Sequence, residues 1–193
     1  MIKVQNMALP VQFGENELRA AAAKKLRVPA DRIETIELSR LSIDARKKTD
    51  VHYVAAATIT ARGESEIVEK AGSPDVTCYT EKPYVFPPVR RKSKLRPIVV
   101  GMGPAGLFAA LHLARAGVPV LLIERGRSVE HRSGDVERFW ETGALDTSSN
   151  VQFGEGGAGT FSDGKLTTGT HDKRGRQVLH DLVQAGAPDE ILW

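Results

Sequence analysis

The sequence contains a single cysteine, Cys78, so no disulfide can form within the chain, and it has no CxxC pair or His/Cys cluster of the kind that builds a structural zinc site. No run approaches the roughly 18 consecutive apolar residues that a membrane helix needs. The first twenty residues also lack the apolar core of a signal peptide. These absences point to a cytoplasmic chain that spans no membrane and holds no metal. Aromatic residues are scarce, at 6%, and none interleave with the basic run described below, which therefore lacks the stacking platform of a dedicated RNA module. The five histidines, His52, His112, His131, His171 and His180, fall at no metal-ligand spacing and in no triad. No catalytic residue is assigned.

What is present is an ordinary globular composition: 193 residues, 41% hydrophobic and 26% charged. At about 150 residues per domain, one or two domains are expected. The net charge of +3 conceals an asymmetry. Residues 1–97 carry 18 Lys and Arg against 12 Asp and Glu, whereas residues 98–193 carry 9 against 12. Two modules of opposite sign are implied, the first with a mild affinity for acidic partners.

Residues 1–85 read as a small α+β domain. A strand is expected over Ile2–Leu9 and a helix over Glu15–Leu26, with Asn16 as its candidate cap and Lys24 and Lys25 complementing the C-terminal end of its dipole. Strand-like runs follow at Ile33–Ile43 and Val51–Ala61, joined by a polar hairpin, and a shorter one at Asp75–Thr80. This gives roughly β-α-β-β with an extra strand, a ferredoxin-like pattern. Cys78 is expected to be buried and inert. Residues 86–97 form a linker, in which Pro87, Pro88 and Pro97 bracket Arg90, Arg91, Lys92, Lys94 and Arg96. A solvated connection accounts for these cations. The alternative reading is a nucleic-acid-associated protein whose basic N-terminal domain binds RNA, and a third is self-association through that domain.

From residue 98 the character changes. Ile98, Val99 and Val100 form a short apolar run, as expected of a parallel strand covered on both faces. A glycine-rich turn, Gly101-Met102-Gly103-Pro104-Ala105-Gly106, follows at once, then a helical segment ending at Gly117 and a strand over Val118–Ile123 that runs into Glu124. In this context Gly101 permits the tight turn, Gly103 lets backbone N–H groups approach a pyrophosphate, and Gly106 lets helix and strand pack closely. Glu124 would accept hydrogen bonds from the adenosine ribose and would repel a 2′-phosphate. The fingerprint alone does not separate FAD from NAD. A second segment, Gly154 to Lys165, holds five glycines, and its amides, with Thr160, Ser162 and Lys165, can serve a polyphosphate or a flavin edge. Phe139 and Trp140 are expected to pack within a helix around Val136–Glu141.

The run PIVVGMGPAGLFAALHLARAGVPVLLIERG resembles the N-terminal FAD-binding element of flavoproteins with the glutathione-reductase-like fold. The string NVQFGEGGAGTFSDGKL resembles a narrower family of bacterial and plastid FAD-dependent dehydrogenases or oxidoreductases, and LSIDARKKTDVH looks like that family's N-terminal domain. The resemblance implies FAD as cofactor, with Gly101, Gly103, Pro104, Ala105 and Gly106 at the pyrophosphate, Glu124 at the ribose and Arg125 on the adenine or phosphate side. It further implies that Gly156, Gly157, Gly159, Thr160 and Lys165 form a second cofactor loop. An unidentified small-molecule substrate and NAD(P)H or another electron donor are the implied partners. Members of that family are longer, so residues 98–193 are expected to be the opening part of a Rossmann-like βαβ domain and the chain an N-terminal fragment.

Overall fold

In a computed structural model of the chain, residues 1–90, 94–162 and 172–193 are described. The chain divides into two compact units, Met1–Tyr84 with Asp172–Trp193, and the described residues of Val85–His171.

In the first unit, strand β1 (Ile2–Leu9) alternates buried and exposed positions and leads to helix α1 (Glu15–Leu26). The helix begins two residues earlier than an Asn16 cap requires. Gly14 occupies the cap position and the Glu17 carboxylate accepts its N–H at 2.8 Å, so Asn16 lies inside the first turn. Arg27, with φ 55°, ends the helix in the left-handed region. Strands β2 (Ile33–Asp44) and β3 (His52–Ala61) pair as an antiparallel hairpin. Helix α2 (Glu64–Ala71), absent from the sequence expectation, is bracketed by Gly63 and Gly72, both at positive φ, and buries Ile67 and Ala71. Strand β4 is confined to Val76–Cys78. Cys78 is exposed, not buried. It ends a three-residue edge strand, and only Val76 of that strand reaches the core.

The four strands are antiparallel in the order β2-β3-β1-β4. Helices α1 and α2 cover one face, where Ile2, Val4, Met7, Leu9, Leu26 and Ile59 form the fully buried centre of the core. A bulge in β1 between Val4 and Met7 places Asn6 at φ 54°, a conformation that Asn tolerates better than most residues. Its side chain donates to Asp75 Oδ1 at 2.8 Å, while Lys25 Nζ meets Asp75 Oδ2 at 2.6 Å. Lys25, and then Asn6, hold the Asp75 carboxyl below its ordinary value. The α-helix Lys173–Gln184, numbered α5, also falls within this unit and is capped by Asp172, whose carboxylate accepts the Arg174 N–H at 2.9 Å.

The second unit contains strand β5 (Ile98–Val100), helix α3 (Pro104–Arg115), strand β6 (Leu121–Ile123) and helix α4 (Val129–Thr142). β5 and β6 are parallel, with Ile98 opposite Leu121 and Val100 opposite Ile123. α3 is their crossover, and Gly117 at φ 73° follows its end. β6 starts after Pro119, which has no N–H to give to the ladder. The expectation that these strands are covered on both faces does not hold among the described residues: Ile98 is 60% and Val100 82% exposed. Two paired strands with one crossover helix leave a face open. No helix among the described residues is long and apolar enough to cross a membrane.

Leu26 is fully buried and Ile43 two-thirds exposed. Leu26→Ala is expected to cost about 2–5 kcal/mol in denaturant unfolding of the first unit, and Ile43→Ala no more than about 0.5 kcal/mol.

Candidate functional site

The chemistry-bearing glycines lie where β5 ends. Gly101 continues the β5–β6 ladder by donating its N–H to Ile123 O at 2.7 Å, and its φ of 97° then turns the chain into the glycine-rich loop. A side chain at Gly106 would place its Cβ 1.9 Å from Gly101 O, so helix and turn can approach this closely only with glycine there. Gly103 is the N-cap of α3 and Pro104 its first residue, which needs no N–H acceptor. The first intrahelical bond is donated by Leu107 to Gly103 O at 3.0 Å. The amides of Ala105 and Gly106 thus precede the helical ladder at the positive end of the dipole.

Glu124, at the end of β6, faces the same turn. Its Oε2 accepts the Met102 N–H at 2.6 Å and its Oε1 the Gly126 N–H at 2.8 Å. These bonds, that from Gly126 the stronger influence, hold its carboxyl below the ordinary value of 4.5. The sequence pattern points to Glu124 as a ligand-facing group. It does not reveal that the same carboxylate ties the glycine turn, through the Met102 N–H, to the Gly126 N–H just after β6, or that the Arg125 and Gly154 amides lower its pKa further. Arg125 is exposed, with its guanidinium 4.0 Å above the Phe153 ring.

The second glycine-rich segment comes to the first. Gly156 donates its N–H to Met102 O at 2.9 Å. Gly157, at φ 69°, sits so close that an added Cβ would lie 3.0 Å from the Gly103 Cα. Gly103 and Gly157 therefore meet backbone to backbone, as do Gly126 and Gly154, where an added Cβ on Gly126 would lie 2.5 Å from the Gly154 Cα. Gly159 and Thr160 belong to a short 3-10 turn, Ala158–Phe161, with the Thr160 hydroxyl donating to Glu155 O at 3.3 Å. Lys165 and Asp163 lie outside the described residues.

Side chains of α4 and its neighbours that shape this region escape the sequence pattern. Arg132 and Asp135, on α4, are buried with Val136 on one helix face. Asp135 pairs with Arg127 at 3.2 Å and Arg138 at 3.1 Å and accepts from the Ser149 hydroxyl. Glu155 accepts the Val129 N–H at 2.8 Å, at the start of α4. For Arg132 and Asp135 the signal is their position on the same helix face as the buried Val136. Trp140, expected to be packed, is 64% exposed and lies edge-to-face with Phe161, with centroids 6.5 Å apart. A groove of about 480 Å³ lies on the sheet face of the first unit opposite α1 and α2, lined in part by Lys3, Gln5, Glu37 and Arg40. It contains none of the expected cofactor residues.

The lowered carboxyl of Glu124 fixes the sign of a pH effect. Its stabilisation is present above the unfolded value of 4.5 and is lost as pH falls through the lower folded value. Glu124→Gln, with one acceptor oxygen for two donors, is expected to lower the melting temperature of the second unit at neutral pH. Below the folded value the variant and the parent should melt together.

Comparison with known proteins bears on both units. Residues 1–60 match a domain of unknown function, DUF8436, and residues 94–137 match an FAD binding domain. The second match covers the glycine turn, α3, β6 and the first part of α4. The chain is 40% identical over 201 aligned residues to an uncharacterized protein of Clostridium beijerinckii (strain ATCC 51743 / NCIMB 8052); the alignment covers all of this chain and 36% of that relative, so the chain spans about a third of its length. Residues 94–137 of the second unit therefore match an FAD binding domain, and FAD is the cofactor the match indicates.

Proposed function

We propose that the chain supplies the ADP-binding part of an FAD-dependent dehydrogenase, with a glutathione-reductase-like, Rossmann-like second unit. The observation that carries this is the meeting of Gly103 and Gly157 beside the N-terminus of α3. Two loops without side chains there leave backbone amides, and nothing bulkier, to receive a pyrophosphate. The residues suit that group. Gly103 lacks the Cβ that would project toward the cradle, the Ala105 and Gly106 amides precede the α3 ladder, and Glu124 holds Met102 in place beside the turn.

In this reading Gly101, Gly103 and Gly106 line the pyrophosphate, Pro104 and Ala105 start the helix whose dipole favours it, and Glu124 takes the ribose. Gly156, Gly157, Gly159 and Thr160 close the second side, and Arg125 with Phe153 flanks the adenine side. Bound FAD supplies two-electron chemistry, accepting a hydride from a small-molecule substrate. The chain's own part is to bind and orient, with NAD(P)H or another carrier as redox partner. Residues 98–193 are proposed as the opening part of this domain in a longer cytoplasmic enzyme, after a linker over residues 86–97. Residues 1–85, which supply the sheet of the first unit, are proposed as a ferredoxin-like domain, supported by their β-α-β-β-α-β order and the β2-β3-β1-β4 sheet. Neither the matches nor the described residues add support to the RNA-binding alternative.

Titrating the full chain with FAD and following flavin fluorescence tests this reading. Quenching by FAD binding, with no response to NADP, is expected. Gly103→Ala, whose Cβ meets only the Gly157 Cα at 4.0 Å, should leave the melting temperature unchanged and weaken FAD binding at least about tenfold. Gly106→Ala should instead unfold the turn. No flavin binding by the folded chain would overturn the proposal.

A further inference from the structure

Arg132 has no solvent-exposed surface, and its guanidinium meets no carboxylate among the described residues. Every acceptor it reaches is a main-chain carbonyl. Nη2 donates to Val151 O and Gly157 O, each at 3.0 Å, and to Asn150 O at 3.4 Å, while Nη1 donates to Glu155 O. The Phe161 ring lies 5.0 Å from the guanidinium carbon. Burying an arginine without a counter-charge is costly. Here the cost is offset by four carbonyl dipoles, all from the second glycine-rich segment and the residues just before it.

The segment is shaped around this side chain. Gly154, at φ 114°, has Arg132 Cδ where a Cβ would sit, at 2.3 Å. A peptide's carbonyl and N–H point in opposite directions, so drawing the Glu155 carbonyl to the guanidinium turns the Gly156 N–H away from it. That N–H is the one that reaches Met102 O in the first glycine turn. Drawing in the Gly157 carbonyl likewise turns the Ala158 N–H outward, beside the Gly103 contact. The two amino groups of the planar fork hold these carbonyls, while Nε finds no partner among the described residues; an ammonium has three donors and no fixed geometry.

We propose that Arg132 is the positioning residue of the cofactor site: it never touches the cofactor but fastens the second glycine loop against the first turn, and the affinity for FAD depends on that fastening. This rests on the FAD-binding reading above and adds to it a residue that lies outside both glycine motifs.

The test uses the full chain, with FAD fluorescence quenching as the readout. Arg132→Ala is expected to weaken FAD binding by about tenfold or more, as the loss of several buried charge-assisted hydrogen bonds requires. Free guanidinium, at concentrations too low to denature, should recover much of that loss by entering the vacated space, and urea at the same concentration should not. Arg132→Lys, which keeps the charge and loses the fork, should bind FAD between the parent and the alanine variant, and it decides the question alone if Arg132→Ala does not fold. Binding by either folded variant within about threefold of the parent overturns the inference and leaves the FAD reading standing. So does a loss in Arg132→Ala that guanidinium does not reverse. A parent chain that binds no FAD overturns both.

Discussion

The second unit is organised by a constraint on backbone approach. At Gly126 against Gly154 two stretches of main chain come closer than a side chain on Gly126 allows, and at Gly157, φ 69°, an added Cβ would crowd the Gly103 Cα at 3.0 Å. An alanine at Gly126 or Gly157 would have to push the facing peptide away. The close approach brings together two segments that lie some fifty residues apart in sequence, each rich in amides, at the positive end of α3. The polar side chains nearby serve that approach. Glu124 secures the first turn through Met102 and Gly126, and Arg132 secures the second through four carbonyls. A negative charge holds N–H groups and a positive charge holds carbonyls, so each loop is fastened by the charge that suits its exposed dipoles.

Much of the first unit was legible because its signals are local. The alternation of Ile2, Val4, Met7 and Leu9 reported a strand covered on one side, and the alanine-rich run of α1 reported a helix. Both were placed to the residue. Helix α2 was not read, because eight residues give barely two turns of periodicity, and the glycines at either end look like loop punctuation rather than caps. Cys78 was misjudged because period-2 reasoning assumes a strand covered along its whole length. β4 is an edge strand of three residues whose last position passes beyond the core.

In the second unit the βαβ spacing and the glycine turn were legible because glycine is required by backbone geometry that a sequence pattern encodes directly. The supporting residues were not. Arg132 bonds to carbonyls, which every residue has, so no partner residue type marks it in the sequence. Glu124 was read as a ligand group, and its second task, capping the turn, depends on the three-dimensional return of β6 beside Met102. The openness of β5 and β6 likewise reflects what pairs with them, which two strands and one helix do not reveal.

The central claim is that both glycine segments, together, receive the cofactor. Amide hydrogen exchange of the full chain with and without FAD measures this most directly. The account predicts increased protection on FAD addition at residues 101–107 and, in the same experiment, at residues 154–160, with little change in β1 to β4. Protection confined to the first segment, or appearing in the first unit instead, would contradict it.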